Sequence, residues 1–185
     1  MHDIKVESLT CEYRTNPLGI DINRPRINWK IQSVRRGTMQ TAYQIQVTTT
    51  NQVNFSESIW DTGVVQSDES IHIEYGGPEL RARTRYFYRV KVWDNFGRES
   101  NWSETAWWEM GLLTPEEWKA EWITPDPTGI DPLSEAAFQL RKEFTLKPDI
   151  ISARVYGTGV GLYELYLNGD RVSDELLAPG WTSYH

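Results

Sequence analysis

The clearest hydrophobic pattern in the chain lies within residues 80–111. From residue 86 to residue 92, Tyr and Val occupy every second position, and mostly basic side chains fall between them. This period of two, rich in aromatic and β-branched residues, predicts a β-strand. Residues 94–97, Asp-Asn-Phe-Gly, are typical turn residues, and residues 102–110 predict a second strand. We therefore expect a long hairpin, against which the rest of the N-terminal half packs.

Shorter alternating stretches precede this hairpin. They predict strands at residues 4–13, 27–31, 43–47 and 71–75, with a turn into a short strand at residues 60–65. Residues 14–26 contain two Pro and one Gly and are predicted to form a loop. No helical periodicity occurs before Gly111. About seven short strands in roughly a hundred residues are typical of an all-β, immunoglobulin-like or fibronectin type III-like sandwich.

One part of the hairpin is more specific. Leu80, Thr84, Tyr86, Val90 and Val92 resemble the sixth strand of fibronectin type III modules. The resemblance implies that Tyr86 forms a tyrosine corner, with its ring in the core and its hydroxyl bonded to upstream backbone. The alternative is a plain core aromatic, which would support a sandwich equally well.

After Gly111 the pattern changes. Thr114, then Pro115, then Glu117 three residues after the Thr form a capping box, which predicts one or two helical turns. Several Pro and Gly residues follow. We predict a connector over residues 112–135, partly docked through Trp118 and Trp122.

Strands are predicted again near residues 138–146, 153–155 and 162–167, and Asn168-Gly169 is a strong hairpin-turn signal. About four strands do not close a sandwich and leave unpaired edges. The predicted domains are therefore a β-sandwich at 1–111, a connector with a short helix at 112–135 and an incomplete second β-sandwich at 136–185.

Composition excludes some classes of protein. The chain has 19 basic and 26 acidic residues and a net charge of −7, which argues against a nucleic-acid partner. No apolar stretch is long enough to predict a membrane span. The N-terminus lacks the basic start and apolar run of a signal peptide. With Cys11 as the only cysteine, we expect a cytoplasmic location unless a signal peptide was removed.

We assign no catalytic, cofactor-binding or metal-ligating residue. Asp94 with Glu99 and Asp174 with Glu175 are nearby acids, but surface carboxylates are far commoner than catalytic ones. The three histidines are scattered, at positions 2, 72 and 185, and give no metal-ligand spacing. Cys11 without a matching His is interpreted as a buried strand thiol.

The glycine-rich segment at residues 157–161 superficially resembles a phosphate-binding loop. No helical pattern follows it, so the bulged start of a strand is the favoured interpretation.

Aromatic residues raise the possibility of sugar binding, because sugars stack their C–H faces on aromatic rings. The candidates are Trp102, Trp107, Trp108, Trp181 and Tyr184. The favoured alternative is packing in the core or between domains, with Arg83, Arg85 or Arg89 over an indole ring.

The order of short motifs resembles the N-terminal region of bacterial α-L-rhamnosidases of glycoside hydrolase family 78. The pieces that carry the resemblance cover nearly the whole chain and lie at residues 24–26, 60–63, 84–94, 97, 100–103, 122–123, 141–144, 161–169 and 177–184. The resemblance implies a fibronectin type III-like domain followed by the start of a jelly-roll sandwich. It also implies an inverting hydrolysis of terminal α-L-rhamnose by two carboxylates, which in the family lie in a helical barrel absent from this sequence.

This chain is thus expected to be a non-catalytic fragment whose partner is the remainder of its parent chain. Exposed strand edges also predict possible homo-oligomers. Two alternatives stay open: a stand-alone fibronectin type III-type protein-binding module, indicated by the cytokine-receptor-like Ser-Asn-Trp-Ser at residues 100–103, and a lectin-like carbohydrate-binding module.

Overall fold

A computed structural model describes residues 4–50, 55–125, 128 and 137–180. Contacts divide the chain into two compact units, Met1–Trp122 and Ile123–His185. The predicted domain limits of 1–111, 112–135 and 136–185 stay predictions.

The first unit is built from two antiparallel sheets. The three-stranded sheet has the order β1-β2-β6, with β1 at Ile4–Cys11, β2 at Arg26–Ser33 and β6 at Ile73–Glu74. The five-stranded sheet has the order β4-β3-β7-β8, and β5 also pairs with β3. Its strands are β3 (Gln40–Thr48), β4 (Trp60–Asp61), β5 (Val65–Gln66), β7 (Arg85–Asp94) and β8 (Ala106–Glu109). The predicted all-β sandwich is confirmed.

The strand register agrees with the predicted alternation of inward-facing and outward-facing side chains. Ile45 of β3 lies opposite Val90 of β7, and Tyr86 of β7 lies opposite Trp108 of β8. Side chains at every second position of β7 therefore enter the core, while the basic residues between them remain on the outer face of the sheet.

The core of the first unit lies between the sheets and is rich in aromatic rings. Trp108 is completely buried and contacts three tyrosines, with ring centroids 5.4 to 5.8 Å away. These tyrosines are Tyr75, Tyr86 and Tyr88. Full burial of one large apolar side chain stabilises a fold by roughly 1.5–3 kcal/mol, so this cluster is a main source of the unit's stability.

The predicted loop at residues 14–26 covers the edge of β8. Ile20 forms a parallel bridge with Met110, and the N–H of Glu109 donates to the carbonyl of Pro17 at 3.0 Å. Gly111 allows this close approach, because a Cβ there would lie 3.2 Å from the backbone of Gly19. The loop thereby protects a strand edge that would otherwise be free to pair with another chain.

The second hairpin strand, predicted at residues 102–110, is shorter than expected. Ser100 and Ser103 replace part of the ladder with side-chain hydrogen bonds: their hydroxyls accept the N–H groups of Val92 and Val90 at 3.1 and 3.0 Å. Their own N–H groups donate to the carbonyls of the same two valines. Regular pairing therefore begins only at Ala106.

The predicted helix after Gly111 is a single 3-10 turn at Pro115–Glu117. The Glu117 carboxylate accepts the backbone N–H of Leu113 and that of Thr114, as in the predicted capping box. The turn ends at once because Trp118 is already extended. Trp118 is 37% and Trp122 73% exposed, so the Trp118 ring is the more covered of the two, and the predicted partial docking of the connector stays a prediction. Connector residues 126–127 and 129–135 lie outside the described residues.

In the second unit, the described residues form only one two-stranded hairpin, β9 (Tyr166–Leu167) with β10 (Asp170–Arg171). Its turn residues, Asn168 and Gly169, both have positive φ, as the sequence predicted. The strands predicted near 138–146 and 153–155 are wrong. Their apolar side chains do alternate, but no neighbouring strand pairs with them in the described part of the unit.

The described residues contain two short helical turns, the first at Phe55–Glu57 and the second at Pro115–Glu117. Neither has the length or apolar character needed to cross a bilayer.

Candidate functional site

Tyr86 forms the predicted tyrosine corner. Its hydroxyl accepts the backbone N–H of Arg81 at 2.8 Å, and its ring stacks on Trp108 at a centroid distance of 5.4 Å and an interplanar angle of 19°. This arrangement ties the approach to β7 into the core. It is a structural device, and burial of Tyr86 keeps its hydroxyl away from the surface.

The basic residues on the outer face of β7 lie over aromatic rings. The guanidinium of Arg85 lies 3.9 Å from the Trp107 ring centroid, and that of Arg89 lies 4.3 Å from that of Trp102. Lys91 also lies over Trp102, at 5.2 Å. Cations over indole rings are favourable, and here they take up faces on which a sugar would stack.

The sequence candidates for sugar binding therefore fall into two groups, rings that the protein covers and residues outside the described part of the chain. Trp108 is buried, and Trp102 and Trp107 are half-buried under Arg and Lys, which agrees with the packing alternative. Trp181 and Tyr184 lie outside the described residues. The third arginine considered for this role, Arg83, instead donates from its guanidinium to the carbonyl of Glu117 at 2.8 Å.

Asp61 is the centre of a polar network beside this surface. The side-chain amides of Gln44 and Gln46 each donate to its carboxylate at 2.7 Å, and the N–H of Gly63 donates at 2.8 Å. Burial alone would raise the pKa of Asp61, but these donors lower it below the usual value. The carboxylate is thus held as an ionised acceptor.

The acids singled out in the sequence bond to other groups or lie at the surface. Asp94 is buried, and its carboxylate accepts the N–H groups of Phe96 and Arg98 and the Arg98 guanidinium. Burial would raise the pKa of Asp94, yet these bonds lower it overall. Glu99 pairs with Lys91 at 3.5 Å. Asp174 and Glu175 are exposed.

Cys11 is a buried strand thiol, as predicted. It is fully buried at the end of β1, and burial raises its pKa to about 12, with a smaller contribution from the charge of Glu12. His2 and His185 lie outside the described residues. No group of three or more metal-ligating side chains occurs where the structure is described.

The glycine-rich segment at residues 157–161 forms no strand, so the predicted bulged strand start is wrong. The segment packs on one aromatic ring instead. The hydroxyl of Tyr163 donates to the carbonyl of Gly157 at 2.8 Å, and a Cβ at Gly159 would lie 3.3 Å from the Tyr163 ring. Glycine at position 159 favours this close approach, because a Cβ there would require the ring to shift by a few tenths of an ångström.

A polar and aromatic cluster that sequence reasoning missed lies at the end of the three-stranded sheet. We call Glu12, Tyr13, Arg26 and His72 the Tyr13 cluster. Tyr13 Oη lies 2.6 Å from His72 Nε2, and the Arg26 guanidinium lies 5.2 Å from the Tyr13 ring centroid. Glu12 accepts hydrogen bonds from Nε and Nη2 of Arg26.

The same bonds fix the charges of the cluster. The side chain of Arg26 is the main cause that lowers the pKa of Glu12, and Glu12 in turn raises the pKa of Arg26. The sequence prediction extended the first strand through residue 13, so the turn that forms this cluster was not recognised. Its tight turn carries Glu-Tyr, which has none of the Asn or Gly that normally marks such a turn.

Two antiparallel sheets of three and five strands, with a tyrosine corner, define an immunoglobulin-like β-sandwich. The family model described as "Rha78A-like, N-terminal immunoglobulin domain" matches residues 6–114, and the model "Alpha-L-rhamnosidase N-terminal domain" matches residues 148–185. The chain belongs to the family of Rha78A-like N-terminal immunoglobulin domains, and it continues into the rhamnosidase N-terminal domain.

Similar proteins are α-L-rhamnosidases. One from Streptomyces avermitilis is 41% identical over 136 residues, covering 74% of this chain and 13% of the relative. One from Formosa agariphila is 33% identical, covering 92% of this chain and 20% of the relative. The solved α-L-rhamnosidase structure from Dictyoglumus thermophilum matches with a TM-score of 0.82 and 38% identity, over 96% of this chain and 21% of that one.

The chain thus spans between an eighth and about a fifth of the length of the relatives it matches.

Proposed function

We propose that this chain is the N-terminal, non-catalytic part of an α-L-rhamnosidase, which hydrolyses terminal α-L-rhamnose from glycosides. The observation that carries the proposal is the order of the two family matches, an N-terminal immunoglobulin domain followed by an α-L-rhamnosidase N-terminal domain. The matching rhamnosidases are about five or more times longer than this chain.

The carboxyl groups of the described residues support a non-catalytic role. Inverting hydrolysis needs a general acid whose pKa is raised, together with a carboxylate that activates water. The clear shifts in carboxyl pKa are all downward. They belong to Glu12, Asp61, Asp94 and Glu116. These downward shifts support the proposal that the acid and base of the parent enzyme lie outside this chain.

Exposed apolar side chains in the second unit support the proposal that its partner is the remainder of the parent chain. Many large apolar side chains along it are exposed, and Phe138, Leu140, Phe144 and Leu146 are each at least 48% exposed. Such exposure is unusual for an isolated domain and is typical of a surface that another segment covers. We propose that the parent chain covers these residues and that, without it, two copies of this chain associate through them.

Light scattering tests the association. The expected result is a mass that rises with concentration and returns to the monomer mass when Phe138 and Phe144 are both changed to Ser. A monomer at every concentration overturns the self-association, while leaving the family role untouched.

Reading the coding sequence beyond codon 185 tests the family role. Several hundred further codons, with more strands and then a long region of amphipathic helices, are the expected result. A stop codon soon after codon 185 would contradict it and would favour a stand-alone binding module instead.

We also propose a cytoplasmic location. The support is the single cysteine, which is buried as a thiol and fits a reducing compartment. Fractionation of cells that produce the protein from its own gene should place it with cytoplasmic markers, and recovery in the medium or periplasm would contradict the proposal.

A further inference from the structure

The Tyr13 cluster has an unusual backbone. Cys11 and Arg14 exchange two backbone hydrogen bonds of 2.9 and 3.0 Å around a two-residue turn, Glu12-Tyr13. Both turn residues have positive φ, 46° and 64°, and His72 also has a φ of 58°. Gly and Asn are the residues favoured at such positions, because a side chain clashes with the following carbonyl in the left-handed region.

The side chain of Tyr13 offers little stability in return. It is 61% exposed and lies outside the hydrophobic core. Its contacts are a surface hydrogen bond to His72, an edge-on contact with the His72 ring, with centroids 5.5 Å apart at 88°, and the Arg26 guanidinium 5.2 Å from its ring centroid on one face. A residue held in an unfavourable conformation at the surface is a reason to look for function there.

The chemistry around the ring is that of a sugar-binding subsite. An exposed phenol ring supplies an apolar face next to groups that form hydrogen bonds. Among the described residues, His72 Nδ1 and Arg26 Nη1 form no hydrogen bond to the protein, so both can bind hydroxyl groups of a ligand.

Charge favours an uncharged ligand. Arg26 forms a two-point ion pair with Glu12, with Nη2 and Oε2 2.6 Å apart, and Glu74 lies opposite Arg26 in the β2–β6 register. The positive charge of Arg26 is thus balanced before any ligand arrives, and an anion gains little here.

We infer that the Tyr13 cluster is a subsite for a neutral pyranose, which stacks on Tyr13 and bonds to His72 and Arg26. The choice of L-rhamnose as the first sugar to test rests on the proposed function. The subsite itself does not, because a stand-alone binding module could carry it equally well.

The test is titration of the 185-residue chain with L-rhamnose and, separately, with D-galacturonate, followed by saturation-transfer NMR and calorimetry. L-Rhamnose is expected to bind with a Kd on the order of 1 mM, and galacturonate at least tenfold more weakly. No binding of L-rhamnose, or tighter binding of the uronate, overturns the inference.

Tyr13→Gly separates ligand binding from a structural role. It removes the ring and relieves the positive φ, so binding should fall at least tenfold while Tm stays level or rises. Tyr13→Phe keeps the ring and should bind within a few-fold of the parent chain. Phe96→Ala is the matched control, because Phe96 lies outside the cluster and is also an exposed ring under an arginine. This substitution should leave binding of L-rhamnose unchanged.

Two outcomes with Tyr13→Gly would overturn the inference. One is unchanged binding. The other is a fall in Tm of more than about 8 °C, which would mean that the side chain is retained for stability. Neither outcome bears on whether the parent protein is a rhamnosidase, which the coding sequence decides separately.

Discussion

Replacing Asp94 by Asn tests the buried carboxylate at the end of β7. Asp94 is 2% exposed and accepts four hydrogen bonds of 2.8 to 3.1 Å from the Phe96 and Arg98 backbones and the Arg98 guanidinium. Asn keeps the shape and one carbonyl acceptor, but it turns an amide group toward the guanidinium.

The expected loss in the free energy of unfolding depends on the burial of Asp94 and on the partial exposure of Arg98. Breaking a buried ion pair costs about 3–5 kcal/mol, but the Arg98 side chain is 34% exposed and regains water. We therefore expect a loss of about 2–3 kcal/mol in the free energy of unfolding. With a urea m-value of about 2 kcal/mol per molar, the midpoint should fall by roughly 1 M.

The assay is urea unfolding followed by tryptophan fluorescence at neutral pH, with the slope checked for constancy. Glu99→Gln is the control. Its ion pair with Lys91 spans 3.5 Å at the surface and should contribute less than about 1 kcal/mol. A midpoint for Asp94→Asn equal to that of the control would mean that the buried carboxylate contributes no more to stability than a surface ion pair.

Acid gives a second check on the same residue. The pKa of Asp94 in the folded chain is lower than its ordinary value of 3.8, so its ionised form stabilises the fold above that value. This stabilisation is lost as the pH falls through the lowered pKa. The gap between the parent chain and Asp94→Asn should accordingly narrow in the most acidic buffer in which both stay folded, and a gap that widens would contradict this assignment.

Three further predictions concern the core of the first unit. Tyr86→Phe removes the acceptor of a backbone N–H and should lower the free energy of unfolding in urea by about 1 kcal/mol. Tyr75→Phe is its control and should be neutral or stabilising, because the buried Tyr75 hydroxyl has no partner in the described residues. Equal effects of the two substitutions would argue against the tyrosine corner. Ser100→Ala leaves a buried N–H of β7 unpaired and should cost about 1–3 kcal/mol, against no change for Asn101→Ala at the exposed neighbouring position. The Cys11 thiol, with its pKa raised to about 12, should react with a disulfide reagent only in denaturant, and rapid labelling of the native chain would contradict its burial.

Local pattern was sufficient to predict most of the sandwich. The alternation through Tyr86, Tyr88, Val90 and Val92 identifies β7 and its inward face, because side chains in a strand alternate regardless of its partners. The turn at Asn168-Gly169 was predictable for a similar reason, since only a few residues accept positive φ at both positions.

Features that depend on distant contacts were missed. Ser100 and Ser103 substitute hydroxyls for ladder bonds, and nothing in a serine marks it for this use. The predicted strands of the second unit had suitable apolar residues, such as Phe138 and Phe144, but a strand forms only when another strand pairs with it.

The Tyr13 cluster shows the same limit at the candidate site. Tyr13 and His72 are 59 positions apart in sequence and meet only because β2 pairs with both β1 and β6. Their shared surface could be recognised only once the pairing of the three strands was known.

The most direct measurement compares hydrolysis of an aryl α-L-rhamnoside by this 185-residue chain and by the product of the complete gene, at equal molar concentration. We expect no turnover above the buffer blank for the 185 residues and clear turnover, with inversion at the anomeric carbon, for the complete product. Hydrolysis by the 185 residues alone would contradict the non-catalytic role, and an inactive complete product would contradict the rhamnosidase assignment.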